Sequence, residues 1–569
     1  MASNNNILNL NNLNLEELYE FEKIYVENKT DFNNFINEIS KSCPKNVYWL
    51  TQTFLSRNHY LSQIYLNICY LKLAKNILKK KKIELIITQN ISQKKFFKKN
   101  IDIQKESLKI ISYENINTIR NVATIVKAFL SNLIICLCFI FNKSSRRAKN
   151  YLSFNKNILI EIYILDTMIS SGKFYDRYYN NLTDHLEKEE KSKITYIAHF
   201  LSTKNIKKKI KILNLREENY IYIFDFLKLQ DYFKALTSFL HINTTRFKNL
   251  KFFDIDVENL VKEEVKKNFF NKSSFFGILN YFFFSRLRNQ NIEVPLVIDW
   301  HENQPFDRGF NFGIHNFFPN TKTIGYQGYI NDYNHNFYLI PTNNEIDAGV
   351  VPKKIALMGS GLHSIFLNQS KKINLINAPS FRFSNIYLDK KKKDEKDDKI
   401  ILVALPISYE NSLDILKLVI SYLESKTVNN KIEFLLNYHP LIDIENMKSK
   451  FSNFPEKLKV TKKDFSELAS KTDLIISNTS SICLESLAME IPCIIVPRFN
   501  GITNNPIPEN IEKKTWNIVY TVEELDQSIN NLLYKLDRLT IKKESENIKQ
   551  NYFTPTNSET VRSFLEFRK

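Results

Sequence analysis

At 569 residues, 43% of them hydrophobic, the chain has room for two or three domains around an ordinary core and falls outside the disordered class. Its net charge of +19 suits an anionic partner, whether membrane lipid, nucleotide sugar or nucleic acid, but no zinc-finger spacing, RNP signature or helix-turn-helix pattern supports nucleic acid. The cysteines, at 43, 69, 136, 138, 483 and 493, form neither a disulfide framework nor paired zinc ligands, and with no basic-then-apolar leader after Met1 a cytoplasmic protein is expected.

In chain order, residues 1–45 read as a polar, Asn-rich, helical extension. A first domain is expected over 46–388, opening with a strand at Asn46–Leu50, a helix at Tyr60–Leu78 and a strand at Ile83–Thr88, the alternation of a parallel sheet with covering helices. From Ala128 to Phe141 no residue is charged, while Lys127 stands before and Lys143, Arg146 and Arg147 stand after. This run of 14 residues, inside an apolar helical insertion near 119–142, is short of the roughly 20 that cross a bilayer. It is read as a buried core helix, as a helix lying on anionic headgroups with its basic flank, or as a span. Strand-like runs resume at Ile158–Leu165, Ile194–Ala198 and Tyr220–Phe224. The loop Gly172–Tyr179 either touches acceptor or packs its aromatics on the next helix, and a long helix is expected from about 257 to 288, with Phe269, Phe270, Phe276, Tyr281, Phe282 and Phe283 in the core.

Pro295–Ile298 is a buried strand, and Thr321–Gly325 the next. Their carboxyl ends bring Asp299, His301, Glu302, Asn303, Gln304, Arg308 and Gln327 to one rim, more polar groups than structure alone requires. Lys354–Met358 is a further strand, and Gly359-Ser-Gly361 a tight turn, since Ser364 stands where a dinucleotide fingerprint needs glycine. The charge run 389–399 marks a linker. A second domain over 400–545 follows, with a strand at Ile400–Ala404, a helix at Ser412–Ser425, a strand ending at Asn437 and another at Leu474–Ile476. A C-terminal helix within 546–569 is expected to return to the first domain. Asn437-Tyr-His439-Pro440 and Ser477-Asn478-Thr479-Ser480-Ser481 each leave a strand's carboxyl end, the edge where open α/β sheets bind ligands. The hydroxyls and free N–H groups at the second predict an anion site. Glu485, one turn on, would accept from sugar hydroxyls, and Ser408 reaches the same edge.

The His439-Pro440 and Ser480-Ser481 pairs, with the Pro492–Pro497 strand behind them, resemble the nucleotide-binding half of GT-B glycosyltransferases from Lys399 to about Ile518. More narrowly they resemble bacterial sialyltransferases and Kdo transferases, which use CMP-activated acid sugars. The resemblance implies that His439, Ser480 and Ser481 hold the CMP phosphate. Glu302-Asn303-Gln304 followed by Gly325-Tyr326-Gln327-Gly328 is similar to bacterial surface-carbohydrate biosynthesis proteins over about Tyr175 to Pro497, which implies that the first rim faces the cleft and meets donor sugar and acceptor.

The expectation is thus an α/β chain of two Rossmann-like parallel-sheet domains facing a cleft, GT-B-like. Its expected reaction is transfer of an acid sugar from a CMP donor to a hydroxyl of a glycan or lipid-linked acceptor in surface polysaccharide synthesis, at the inner face of the cytoplasmic membrane. Glu302 is the first choice of general base, Asp299 the second, with His301 as the alternative. Arg308 would pair with the sugar carboxylate. Asn303, Gln304 and Gln327 would meet acceptor and sugar, and Pro440, Asn478 and Thr479 would shape the donor loop. No metal or cofactor beyond the nucleotide sugar is expected, because Asp254-Ile-Asp256 precedes a helix instead of ending a cleft strand. A UDP-sugar or CDP-polyol donor, and a non-catalytic assembly protein keeping the fold, are the alternatives.

Overall fold

Near-continuous apolar runs such as Ile158-Leu-Ile-Glu-Ile-Tyr-Ile164 bury both faces, the signature of strands in a parallel sheet covered by helices. The computed structural model describes residues 6–102, 108–113, 118–144, 147, 155–170, 172–180, 182–387, 398–425, 431–499 and 501–567. Among these, the strands gather into three parallel sheets and two short antiparallel pairs.

The first sheet contains β1 (Ile7–Asn9), β2 (Leu85–Thr88) and β3 (Lys109–Ser112), paired in that order. Residues 1–45 are therefore not an appendage: Ile7 lies in register with Leu85, and helices Leu15–Glu27 and Lys29–Ser42 bury Phe21, Tyr25, Phe32 and Ile36 in this unit's own core. Asn46–Leu50 is a helical turn, not a strand. Asn46 accepts a hydrogen bond from the Trp49 N–H (3.2 Å) and caps Val47–Leu50.

The second sheet is built from β4 (Ile158–Ile164), β5 (Ile194–Phe200), β6 (Asn219–Ile221), β7 (Leu296–Trp300), β8 (Lys322–Gln327), β9 (Lys354–Leu357) and β10 (Leu375–Asn377). Its spatial order is β10-β9-β8-β7-β4-β5-β6, so chain order reverses between β4 and β7. β6 stops at Ile221, and Ile223–Phe226 turns into a short helix. The aromatic helix expected over 257–288 breaks in two, Glu258–Lys267 and Lys272–Arg288, because Asn271 caps the second by accepting from the Ser273 and Ser274 N–H groups. Phe276, Phe282 and Phe283 enter the core, while Phe269 and Phe270 fall in the break.

The third sheet holds β11 (Lys399–Leu405), β12 (Ile432–Tyr438), β13 (Leu458–Thr461), β14 (Leu474–Ser477), β15 (Cys493–Ile495) and β16 (Trp516–Ile518). The order is β13-β12-β11-β14-β15-β16, with the reversal between β11 and β14. The fold is thus α/β with two Rossmann-like parallel-sheet domains in the GT-B-like arrangement, and the small first sheet forms an added lobe. Most of the linker expected at 389–399 lies outside the described residues, and β11 opens at Lys399.

The C-terminal helix, Ser558–Phe564, returns to the second sheet, where the Phe564 ring meets Tyr326 (5.3 Å) and Phe381 (5.9 Å) and Arg562 pairs with Glu190 (2.9 Å). Helix Lys272–Arg288 crosses helix Pro305–Phe317 at facing glycines: a Cβ on Gly309 would lie 2.0 Å from the Gly277 carbonyl oxygen. Since that obstacle is backbone, Gly309→Ala has to push apart the two helices that carry the cleft rim. It is expected to cost about 2–3 kcal/mol, read as a lower denaturant midpoint with an unchanged slope.

Candidate active site

Both order reversals open a crevice at the strands' carboxyl ends. In the third sheet the crevice is flanked by the turn after β11, carrying Ser408 and Asn411, and the turn after β14, carrying Asn478 to Ser481. Asn411 Nδ2 donates to Thr479 Oγ1 (3.3 Å) and Ser408 Oγ accepts from the Asn411 N–H (3.4 Å), so the two turns are tied together. His439 ends β12, on the other side of β11 from Ser480. Two strand spacings, about 10 Å, separate the two strands, with Ser408 in the turn that leaves the strand between them. The Leu441 N–H donates to His439 Nδ1 (3.2 Å), so in the neutral ring Nε2 carries the proton. Burial, with the Arg177 charge nearby, pushes the His439 pKa below its usual value and keeps the ring neutral. Pro440 beside it is exposed.

The anion site expected at Ser480 and Ser481 needs correcting in its cause. Helix Ile482–Ala488 has only seven residues and Ser481 makes no side-chain cap bond, so its dipole is a small contribution. Positive charge at this edge comes from Arg498 of the same domain, which lies 3.6 Å from Asp414, and from two arginines of the opposite domain. Arg177 and Arg382 are both exposed, and they lie within electrostatic reach of His439 and Glu485 respectively. Burial raises the Glu485 carboxyl to about 7, with Arg382 opposing.

On the facing rim, Glu302 is half-buried and held at both oxygens. Trp300 Nε1 donates to one (3.0 Å) and Gln304 Nε2 to the other (2.6 Å), which leaves each a lone pair toward the cleft. The Arg382 guanidinium stands over the Trp300 ring, 5.9 Å from its centroid. Beneath Glu302, Asp307 accepts from the Glu302 and Gln304 N–H groups (3.0 and 2.9 Å) and from Tyr163 Oη (3.3 Å). Burial drives Asp307 up to about 7, against the pull of His301. Burial likewise raises Glu161, which lies 3.2 Å from His199, with the Asp307 and Asp299 charges adding. This layer of raised acids sits under the half-buried Glu302.

The other rim candidates point inward. Asp299 is buried, accepts from Asn311 Nδ2 (2.8 Å) and lies 3.3 Å from His301 Nδ1, so it is not a base facing the cleft. His301 is fully enclosed between β7 and β8, its N–H donating to the Tyr326 carbonyl (3.0 Å). Arg308 is taken up by Glu345 (2.6 Å) and the Leu50 carbonyl (2.7 Å) and has no free fork for a sugar carboxylate. Asn303 donates to the Tyr338 carbonyl (2.7 Å). Gln327 donates to the Leu339 carbonyl (2.9 Å) and accepts from Tyr333 (2.9 Å). Apart from the Asp299–His301 and Gln327–Tyr333 pairs, these partners lie 12 or more residues away, so little in the local pattern marks these side chains as internal. Arg177 and Arg382 were missed as charge carriers, although both lie in loops after strands of the second sheet, the position that signals a cleft residue.

The added lobe borders the same edge. A cleft of about 510 Å³ lies between Tyr60 and Gln63 on one side and Ser408, Asn411, Thr479 and Arg498 on the other. Asn504 donates to Tyr60 Oη (2.8 Å) and the Thr503 N–H to Glu22 (3.1 Å), closing one end.

A carboxyl whose folded pKa is raised costs stability as pH climbs from its unfolded value through the folded one. Glu485→Gln is therefore expected to match the parent near pH 4 and to gain stability from about pH 4.5 to 7, by about 1–2 kcal/mol after allowance for partial exposure, measured by chemical denaturation across pH.

No protein-family model matches the chain, and no curated protein sequence matches it. Solved structures similar to it include S. aureus MnaA with UDP (12% identity, TM-score 0.42, covering 73% of this chain and 98% of that one). Others are the UDP-GlcNAc 2-epimerase of Neisseria meningitidis bound to UDP-GlcNAc (11%, 0.40, 72% and 98%) and the glycosyltransferase SnogD of Streptomyces nogalater (11%, 0.38, 72% and 99%). At these identities the likeness is one of chain architecture, and the fold stated above rests on the sheets themselves.

Proposed function

We propose that the chain is a glycosyltransferase that moves an acid sugar from a CMP-activated donor to an acceptor hydroxyl without a metal ion. What supports this reading is that Arg382, over the Trp300 ring beside Glu302, and Arg177 act across on Glu485 and His439 of the other domain, where each domain has its switch point. In this reading Glu302 takes the proton from the acceptor hydroxyl as its oxygen bonds to the anomeric carbon. The bond from that carbon to the phosphate oxygen breaks, and CMP leaves with the electron pair. His439 Nε2–H, the two serine hydroxyls and Arg177 stabilise the phosphate as its charge grows. A CMP-linked acid sugar carries one phosphate and one carboxylate, matching Arg177 and Arg382; the second fork suits a carboxylate. Asn478 and Thr479 hold the donor loop, and Gln304 holds Glu302.

Thermal unfolding with CMP, CDP and UDP tests the donor. CMP at about 100 times its Kd is expected to stabilise by about 2.7 kcal/mol, and His439→Ala to abolish most of that gain. Glu302→Gln is expected to keep the CMP response and lose about 100-fold or more in transfer rate, with the parent fully active in EDTA. Stabilisation by UDP alone would replace the CMP reading with a UDP-sugar donor, and no response to any nucleotide would point to an assembly protein.

A further inference from the structure

The helix Thr118–Asn142 carries no acidic residue, and its described side chains form an outer face and an inner one that is buried from Asn132 onward. One packs into the second sheet's core: Phe139 meets Phe224 (5.0 Å) and Phe276 (6.0 Å), Ile135 and Cys136 are buried, and Asn132 donates to the Phe270 carbonyl (3.0 Å). The other presents Val122, Val126, Leu130, Ile134, Leu137 and Phe141 to solvent, with Ile134 56% and Phe141 77% exposed. At 100° per residue these positions fall within an arc of about 120°, opposite the packed face.

The stripe does not end at the helix. The neighbouring helix Leu229–Leu236 adds Leu229 and Phe233, 70% and 67% exposed. A groove of about 630 Å³ beside the stripe is walled by Leu130, Ile134, Leu201 and Phe276. An apolar surface of this extent is unusual on a soluble face.

Its charge is one-sided. Lys127, Lys143, Lys228, Lys234 and Lys272 are exposed on or beside it, while the neighbouring acids, Asp225 and Asp231, are buried and held by Arg147 (2.9 Å) and Arg286 (2.5 Å). The helix is long and apolar enough to cross a bilayer, but its inner face packs on the second sheet's core, whose loops and polar edges would have to enter the hydrocarbon with it. An apolar stripe with a lysine border and, among the described residues that flank it, no exposed acid fits the boundary between acyl chains and anionic headgroups.

We propose that the face formed by Thr118–Asn142 and Leu229–Leu236 docks the protein in the plane of an anionic membrane. The exposed stripe enters the acyl boundary, and the lysines meet lipid phosphates. This does not depend on the donor or the reaction proposed above.

Flotation of the full chain with vesicles tests it. Binding is expected to vesicles of equal phosphatidylcholine and phosphatidylglycerol, to weaken as salt rises, and to be slight on phosphatidylcholine alone. Ile134→Glu with Phe141→Glu, both at solvent-facing positions, is expected to lower the bound fraction about tenfold at an unchanged unfolding midpoint. Lys127→Glu with Lys143→Glu is expected to weaken binding and flatten its salt dependence. Absence of binding to either vesicle, or binding unaltered by the Ile134 and Phe141 changes, overturns the proposal. So does a parent protein that sediments as a dimer and turns monomeric in the Ile134→Glu, Phe141→Glu variant, because a second copy would then cover the stripe.

Discussion

One carboxylate holds three parts of the molecule in place. Glu345 lies buried between Arg57 of the added lobe (2.7 Å) and Arg308 of the rim helix (2.6 Å), and Asn303 reaches the same group. Arg57 also donates to Asn33 and to the Phe337, Tyr338 and Ile340 carbonyls, and Arg308 to the Leu50 carbonyl, so the donors around this acid are satisfied. Burial alone would raise the Glu345 pKa, but the two guanidiniums outweigh it and hold the carboxyl below its usual range. A buried pair of this kind is worth little against an apolar replacement, yet losing one member typically costs about 3–5 kcal/mol because it strands the others. Its consequence here is positional: the added lobe cannot swing from the second sheet without parting buried Arg57 from Glu345 and taking the Leu50 carbonyl away from Arg308.

That constraint decides what the cleft can use. Arg308, Asn303 and Gln327 are bound up inside the fold, while Glu302 and Gln304 stay half-exposed at the same helix start. The acids below, Glu161 and Asp307, are raised by burial, so the low-dielectric floor avoids stacking several negative charges beneath Glu302. On the opposite domain, neutral His439 and the hydroxyl turn supply donors, and Arg177 and Arg382 bring cationic charge across from the first domain. The cleft's electrostatics are thus shared between domains, and an anion would be gripped fully only where both sheets present their carboxyl edges.

The helix Thr118–Asn142 shows the reverse relation between core and surface. Its inner face is spent on Phe224 and Phe276, and the outer face repeats the same residue types in water. Composition alone left three readings of this segment open, and the membrane-docking proposal is argued from the arrangement of its two faces around one axis.

Much of the fold was legible in the residues. Strands buried on both faces read as unbroken apolar runs, so Ile158–Ile164, Leu296–Trp300 and Leu474–Ser477 stand close to where the sequence predicts them, and Asn437 to His439 and Ser477 to Ser481 stand at strand ends. Side-chain capping was less legible: Asn46 and Asn271 turned an expected strand and an expected continuous helix into capped helices, since one hydrogen bond outweighs a weak propensity. Which polar residues face the cleft was decided only by tertiary structure. A polar group's environment depends on partners such as Glu345, Leu50 and Tyr338 that the fold brings from elsewhere in the chain, and burial follows from those contacts, not from residue type.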